Sequence, residues 1–298
     1  MILAALALAA SAPQTILTVD PKHSLIEGVA SDGSTIWLSS LVDRAILACT
    51  KTCTTLATLP AGLHPFAISW DARAKRLWVA ADCPPGVAFI AECERGGLLG
   101  LDMRGKIRTW VAPMGGAFHP GDVSAANGEV FVSDSQNGAV YRLAPNGKAL
   151  LTLVAPGVGK SGQGMALGAG GKQLIVADYS QGIASIDLST GARTLLPRQD
   201  GKPLRGVDGM ARCGGTFFGI YNGAAPGRVL TITMRPGGVT YGEAIDDLKL
   251  PDPTQIAFDG KRLLVVANSG WEPAMKGTAR TEGAPILAIP LGKDCKPL

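Results

Sequence analysis

Short apolar runs alternate with polar turns along the whole chain, and helix-sized periodic stretches are nearly absent. The runs are rich in branched and aromatic residues, as in "TIWLSS", "EVFVSD" and "RLLVVAN". The 39 glycines and 20 prolines of the chain punctuate these runs. Breaks that recur roughly every ten residues are typical of short strands joined by tight turns. The pattern therefore predicts an all-β protein.

Six copies of one pattern account for many of these runs. Each copy begins with a form of x-Gly-[Val/Met]-Ala, followed by a turn and a second strand, as in "EGVASDGSTIWLSS" and "DGMARCGGTFFGIYN". The copies recur roughly every 40 to 55 residues, which is the range of four-stranded propeller blades. We call the first residue of each copy its lead residue, and the six lead residues are Glu27, Phe66, Gly121, Gln163, Asp208 and Thr254.

The repeat predicts how the copies pack. A single four-stranded sheet leaves both apolar faces bare, whereas sheets stacked around an axis cover those faces and expose only short edges. We therefore predict a six-bladed β-propeller of four-stranded antiparallel blades, formed as a single domain by residues 14–298. Residues 14–20, "QTILTVD", have no partners in their own blade, so we expect them to pair with the last strand, "APILAIPLG".

The lead residues are candidates for a shared site. In a propeller the inner strands line a central channel, so the residue at the head of each inner strand lies on one rim. Glu27, Gln163 and Asp208 offer only oxygen ligands, which suit a hard divalent cation such as calcium. Alternatively, Glu27 and Asp208 accept hydrogen bonds from backbone N–H groups of neighbouring blades and bind nothing.

Two of the three histidines occupy equivalent positions near the predicted rim. His64 in "LHPFAI" and His119 in "FHPGDV" each stand two residues before a lead residue. As a pair they could serve as general base and orienting group for a water that attacks a carbonyl. Alternatively, His-Pro is a loop that enters an inner strand, and the ring caps a blade through a hydrogen bond.

Other polar and aromatic residues near the strand ends have separate interpretations. Trp37 and Trp78 lie in second strands and are expected in the core. The aspartates that end second strands, Asp82, Asp134 and Asp178, are expected to form Asx-type turns.

Trp271 follows Asn268 in a loop with Gly and Pro, where it could form a wall of a pocket or lie on the surface. The candidate substrate-binding residues are Asp122, Asn222, Asn268 and Trp271.

Composition and charge exclude some classes of function. A chain of 298 residues with 46% hydrophobic and 17% charged residues can bury a full-sized core. The net charge of +4 comes from scattered Lys and Arg, without the basic stripe that nucleic-acid binding requires. Residues 1–12 resemble the back half of a secretory signal peptide and are too short to span a bilayer. The alternative is an ordinary apolar first strand.

The six cysteines bear on the same question of export. Their even number in a chain with an export-like start favours disulfides. Cys49 and Cys53 flank a short turn between two β-like runs, and a second pair, Cys83 and Cys93, brackets the insertion "PPGVAFIAE". Cys213 and Cys295 pair only by elimination, and Cys213 as a buried free thiol is the alternative.

The lead residues also carry a resemblance to a known family. "EGVA" at Glu27 and "DGMA" at Asp208 resemble motifs of the superfamily of senescence marker protein, gluconolactonase and luciferin-regenerating enzyme. The resemblance covers residues 15–292 and implies a six-bladed propeller acting as a lactonase or related hydrolase. It implies that Glu27 is a metal ligand, and that Asp208 is a metal ligand often treated as the general base.

Two positions depart from the family pattern. Gln163 stands where the family usually has an asparagine, so its longer side chain would have to retract to reach the same ion. Asp122, next to Gly121, stands near an asparagine that contacts substrate or metal in the family. Strand alternation points Asp122 sideways, so it could replace that asparagine only if its side chain turned inward.

These features lead to one main functional hypothesis. We predict a monomeric, secreted or periplasmic hydrolase of the lactonase type. A divalent cation, calcium by its ligands, would polarise the carbonyl of a small lactone or ester, and Asp208, His119 or His64 would activate water. One alternative is a non-catalytic propeller that binds a protein or small ligand through its rim loops. A redox protein that uses its cysteines is a third hypothesis.

Overall fold

A computed structural model describes residues 12–91, 93 and 95–298. These residues form six four-stranded antiparallel sheets, and the inner strand of each sheet contacts the inner strand of the next around a closed ring. The six-bladed β-propeller expected from the repeat is confirmed. The predicted signal peptide at residues 1–12 lies, apart from Ala12, outside the described residues. None of the helices in these ranges is long and apolar enough to cross a membrane.

The strands follow the repeat closely. The chain begins with β1, Gln14–Val19. Blade 1 then contains β2 Ile26–Ser31, β3 Ile36–Ser40, β4 Ala45–Cys49 and β5 Cys53–Thr58. Blade 2 contains β6 His64–Asp71, β7 Arg76–Asp82, β8 Gly97–Leu101 and β9 Ile107–Val111. Blade 3 contains β10 Pro120–Ala126, β11 Glu129–Asp134, β12 Val140–Leu143 and β13 Leu150–Val154.

The second half of the chain completes the ring. Blade 4 contains β14 Gly162–Leu167, β15 Gln173–Asp178, β16 Gly182–Asp187 and β17 Arg193–Leu195. Blade 5 contains β18 Val207–Cys213, β19 Thr216–Tyr221, β20 Arg228–Arg235 and β21 Gly238–Glu243. Blade 6 contains β22 Ile256–Phe258, β23 Arg262–Val266 and β24 Ala284–Pro290, with helix α1, Trp271–Lys276, between β23 and β24.

The first strand closes the propeller. β1 pairs antiparallel with β24, from Gln14 opposite Ala288 to Val19 opposite Ala284. It is therefore the outer strand of blade 6, in the sheet order β1-β24-β23-β22. The pairing predicted for residues 14–20 is confirmed, and it joins the two ends of the described chain through main-chain hydrogen bonds.

Apolar side chains between neighbouring blades form the core. Trp37 of blade 1 packs in one cluster with Leu77 and Val79 of blade 2. Trp78 of blade 2 packs with Val123 of blade 3. Both tryptophans are buried, as expected. Because each sheet covers the apolar face of the next, burial of these faces holds the ring together.

An irregularity recurs where the inner strands begin. In blades 1 to 5 the pairing of the inner strand with its neighbour shifts register around the lead residue, for example between Ile26 and Val29 and between Val207 and Met210. Such bulges redirect side chains and bend the strand. At Gly28 a Cβ would lie only 2.8 Å from the carbonyl oxygen of Phe66. The glycine after the lead residue of blade 1 is therefore required by close contact with blade 2.

All six cysteines are paired in disulfides. Cys49 bonds to Cys53 at the β4–β5 turn, and Cys83 bonds to Cys93 across the blade 2 insertion. Cys213, at the end of β18, bonds to Cys295 in the C-terminal segment, 82 residues away. These are the three pairings expected from the sequence, and the alternative of a free thiol at Cys213 is wrong for this structure.

Candidate active site at one mouth of the central channel

Four of the six lead residues meet in one cavity. The cavity, which we call the carboxylate cavity, has a volume of about 340 Å³ and opens where the inner strands begin. Its lining residues are Glu27, Phe66, Ser161, Gln163, Tyr179, Asp208, Asn222, Asp252 and Trp271. The two carboxylates singled out from the sequence, Glu27 and Asp208, therefore lie at the same mouth of the channel.

Glu27 is buried and held by blade 6. Its Oε2 accepts a hydrogen bond of 2.7 Å from the indole Nε1 of Trp271 and one of 3.4 Å from the hydroxyl of Ser269. Burial and the nearby Asp208 carboxylate raise the pKa of Glu27 well above its usual value. A bound cation would offset both effects and favour the ionised form.

Asp208 is held by an amide of its own blade. Its Oδ2 accepts a hydrogen bond of 2.8 Å from Nδ2 of Asn222, and the same Nδ2 donates to the carbonyl of Pro253 at 3.0 Å. Burial, reinforced by Asp252 and opposed by the Asn222 hydrogen bond, raises the pKa of Asp208 to about 7. A carboxylate with this pKa can both accept and release a proton near neutral pH.

Asp252 is a third carboxylate that the sequence analysis did not identify. Its Oδ2 accepts hydrogen bonds from the backbone N–H groups of Gly270 at 2.9 Å and Trp271 at 2.7 Å. It thereby fixes the start of α1 and the indole that binds Glu27. Asp252 stands two residues before the lead residue Thr254, the same offset as that of His64 and His119, and this offset alone does not bring a side chain into the cavity.

The two histidines lie outside the cavity. The Nδ1 of His64 lies 2.7 Å from the carbonyl oxygen of Leu41 in the preceding blade. The Nδ1 of His119 lies 3.2 Å from Oδ1 of Asp82, also in the preceding blade. Both rings are buried. These contacts are those of the blade-capping alternative.

The side chain of Asp122 points across the channel, although strand alternation predicts that it points sideways. Its Oδ2 accepts a hydrogen bond of 2.7 Å from the backbone of Met165 in blade 4, and its Oδ1 accepts one of 3.0 Å from Nε2 of Gln255 in blade 6. Pairing in blade 3 is interrupted between Pro120 and Val123, so simple alternation does not apply there. Burial raises the pKa of Asp122 to about 8. Asp122 lines a separate cavity of about 250 Å³.

The remaining candidates divide between the cavity and the surrounding loops. Trp271 lines the cavity as the first residue of α1, in a segment expected to be a loop, and packs edge-on against Phe66 with ring centroids 6.1 Å apart. Asn222 lines the cavity beside Asp208. Asn268 does not line it, and its carbonyl accepts a hydrogen bond from Arg280.

Two of the strand-end aspartates form the expected turns. Oδ1 of Asp134 accepts hydrogen bonds from the backbone N–H groups of the residues two and three positions later, at 2.9 and 3.1 Å. Oδ1 of Asp178 does the same at 3.3 and 3.1 Å. Asp82 instead contacts His119. The side chains of these aspartates hold loops and do not line the cavity.

The cavity combines negative charge with oxygen ligands. Within the described ranges no Lys, Arg or His forms a salt bridge with Glu27, Asp208 or Asp252. Oδ1 of Asn222 is buried and has no hydrogen-bond partner among the described atoms. Unpaired carboxylates and an orphaned carbonyl oxygen are the ligands that a hard cation prefers. The residues present therefore fit a divalent cation.

Comparisons with known proteins agree on the fold. No protein-family model and no curated protein matches the chain. Among solved structures, a gluconolactonase from Xanthomonas campestris is 19% identical, with a TM-score of 0.65 over 96% of this chain and 94% of that one. A luciferin-regenerating enzyme is 14% identical, with a TM-score of 0.62 over 96% and 97% of the two chains. The resemblance to this superfamily is confirmed at the level of the fold.

The same fold occurs outside these enzymes. A chain in the structure of a mitotic checkpoint complex is 10% identical, with a TM-score of 0.58 over 94% of this chain and 91% of that one. Similarity at this level of identity shows the architecture alone, because one fold supports many functions. The function must therefore be argued from the cavity.

Proposed function

We propose that this protein is a lactonase-like hydrolase that opens a small lactone or ester at the carboxylate cavity with the help of a divalent cation. The observation that carries the proposal is that three carboxylates line one cavity beside the orphaned oxygen of Asn222, and none of them forms a salt bridge within the part of the chain described. The carboxylates interact electrostatically, since Asp208 and Asp252 both raise the pKa of Glu27, and such buried groups repel unless a cation or a proton offsets their charge.

The ligand set favours calcium. Glu27, Asp208 and Asp252 would provide carboxylate oxygens, and Gln163 and Asn222 would provide amide oxygens. Calcium takes six to eight oxygen ligands in flexible geometry, so five side chains leave positions for water and substrate. When bound, the cation would act as a Lewis acid that polarises the substrate carbonyl.

The side chains of the cavity supply the remaining functions. Asp208, which a bound cation would keep ionised, would accept the proton of an attacking water and return it to the leaving alkoxide. Burial and Asp208 raise the pKa of Tyr179, so its hydroxyl remains protonated and can donate a hydrogen bond. Phe66 and Trp271 provide an aromatic wall against which an acyl chain can pack.

Other observations support the proposal at a coarser level. A gluconolactonase and a luciferin-regenerating enzyme share the fold over almost the whole chain, and a cavity of about 340 Å³ suits a small molecule. The three disulfides favour an oxidising compartment, so we propose a secreted or periplasmic protein, for which the monomer predicted from the sequence stays a prediction. The redox hypothesis lacks support, because every cysteine is in a disulfide and none lines the cavity.

Hydrolysis by metal-stripped and calcium-loaded protein tests the proposal. We expect the protein to hydrolyse members of a panel of five- and six-membered lactones and 4-nitrophenyl esters, and calcium to restore activity after chelation. Asp208→Asn should lower kcat at least about a hundredfold, the lower range for loss of general base catalysis. Asp246→Asn, at an exposed carboxylate, is the matched control. Failure of the calcium-loaded protein to hydrolyse any compound would favour the non-catalytic alternative.

A further inference from the structure

A further cavity, distinct from the one that Asp122 lines and lined by positively charged residues, lies beside the carboxylate cavity. It has a volume of about 250 Å³ and lies between blades 4 and 5. All of its charged lining residues are arginines, namely Arg198, Arg205 and Arg228, and two tyrosines, Tyr221 and Tyr241, complete its polar lining. We call it the arginine cavity.

A short stretch of hydrogen-bonded backbone separates the two cavities. The N–H of Gly206 donates to the carbonyl of Tyr179 at 2.9 Å, and the carbonyl of Gly206 accepts from the N–H of Asn222 at 3.1 Å. Tyr179 and Asn222 line the carboxylate cavity. Arg205 and Tyr221, which line the arginine cavity, directly precede Gly206 and Asn222. The two cavities therefore lie on either side of this hydrogen-bonded stretch.

Tyrosine rings position two of the guanidinium groups. The guanidinium of Arg228 lies 5.7 Å from the ring centroid of Tyr221, and that of Arg198 lies 5.7 Å from the ring centroid of Tyr241. The hydroxyl of Tyr241 also accepts a hydrogen bond of 3.0 Å from Arg198. Stacking on Tyr221 leaves part of the edge of the Arg228 guanidinium available for a planar anion, whereas the edge of Arg198 is occupied by Tyr241 and Asp200.

The carboxylates near these arginines do not neutralise all three positive charges. Asp200 binds Arg198 through two hydrogen bonds. Arg228 pairs with Glu243 at 3.2 Å, but both side chains are more than a third exposed, so water weakens that pair. Arg205 has no side-chain hydrogen bond or salt bridge to any other residue in the described ranges, and its N–H groups remain available to a ligand.

We propose that the substrate carries an anionic group, a carboxylate or a phosphate, that binds in the arginine cavity while its lactone or ester carbonyl enters the carboxylate cavity. The inference rests on the proposed function and specifies its substrate class. The arginines would attract the anionic end of the substrate, while the cation proposed for the carboxylate cavity would polarise its carbonyl. Arginine matches both carboxylate and phosphate through paired N–H groups.

A pair of esters of similar length tests this substrate class. The neutral probe is 4-nitrophenyl pentanoate and the anionic probe is mono-4-nitrophenyl glutarate. We expect the protein to have the higher kcat/KM for the anionic ester, and Arg205→Gln to reduce this preference about tenfold, or about 1.4 kcal/mol, mainly through KM. Arg235→Gln, an exposed arginine at the far end of β20, is the control and should leave the preference unchanged.

Two results would overturn the inference: a preference for the neutral ester in the unmodified protein, or an unchanged preference in Arg205→Gln. Arg205→Lys, which keeps the positive charge, should retain part of the preference. Competition by glutarate and by inorganic phosphate identifies the better anion. Stronger inhibition by glutarate indicates a carboxylate substrate, and stronger inhibition by phosphate indicates a phosphorylated one.

Calorimetry separates this inference from the hydrolase proposal. If no ester is hydrolysed, the titration of glutarate and of inorganic phosphate into the unmodified protein and Arg205→Gln still tests the arginine cavity. Binding that is at least about tenfold weaker in the variant supports the cavity as an anion site even if the hydrolase proposal fails. Absence of binding by both anions in the unmodified protein contradicts it.

Discussion

The buried carboxyl of Asp122 makes a prediction about the pH dependence of stability. Its pKa is raised by burial from 3.8 to about 8. Between these values the unfolded chain has lost the proton that the folded chain retains, so folding takes up a proton. The free energy of unfolding should therefore fall as pH rises from about 4 to about 8, with a slope of up to about 1.4 kcal/mol per pH unit from this group.

Asp122→Asn removes this titration while keeping the shape of the side chain. The amide can still hydrogen-bond across the channel to Gln255, whose own amide can reverse to match it. Relative to the unmodified protein, the variant should gain stability steadily from pH 5 to pH 8. The ceiling on the gain is about 4 kcal/mol over these three pH units, from the slope of a single fully buried group.

Urea denaturation at several pH values between 5 and 8 measures the effect. At each pH the free energy of unfolding of the variant is compared with that of the unmodified protein, and the test is whether the difference changes with pH. A constant difference would reflect only altered hydrogen bonding. Asp246→Asn changes an exposed carboxylate and should give a curve parallel to that of the unmodified protein. If the curve for Asp122→Asn is parallel to that of the unmodified protein to within about 0.5 kcal/mol, Asp122 does not titrate in this range with a raised pKa, since surface substitutions commonly have effects of that size.

Two further predictions concern the scaffold. Replacing both cysteines of the Cys213–Cys295 bridge by serine opens a loop of 82 residues and should lower the free energy of unfolding by about 4 kcal/mol. The same replacement at the Cys49–Cys53 bridge should lower it by only about 2 kcal/mol, because the loop is shorter. Equal losses in urea denaturation would contradict this dependence on loop length. Gly209→Ala would place a Cβ 2.8 Å from a main-chain oxygen of the next blade and should cost about 1 to 3 kcal/mol. Gly215→Ala, with nothing within 4 Å, should lie within about 0.5 kcal/mol of the unmodified protein, and a reversed order in thermal denaturation would contradict the close contact.

The repeat was sufficient to predict the fold. Each blade must pack against two others, so the same apolar pattern recurs six times, and the periodic copies reveal the architecture. The same logic brought Glu27 and Asp208 to one rim, although they are far apart along the chain. Ring closure by residues 14–20 could be predicted because that strand precedes the first copy of the repeat and has no partner strands beside it in the sequence.

The details of the cavity depend on features that the pattern does not encode. The bulge at Gly121 and Asp122 interrupts strand alternation, so the direction of Asp122 could not be predicted by counting residues. His64 and His119 lie near the rim, but each hydrogen-bonds to the preceding blade. Asp252 was missed because it lies before the strand, where its position depends on the path of a loop. The helix at Trp271 is too short to show a periodic pattern.

Calcium binding is the decisive measurement, because the proposed hydrolysis requires the carboxylates at the channel mouth to form one cation site. Calorimetric titration of metal-stripped protein should show one bound ion, and a calcium concentration one hundred times the Kd should stabilise the fold by about 2.7 kcal/mol. Glu27→Gln and Asp208→Asn should each weaken binding at least about tenfold, whereas Asp246→Asn should not. No binding by the unmodified protein, or equal affinity in all four proteins, would contradict the account.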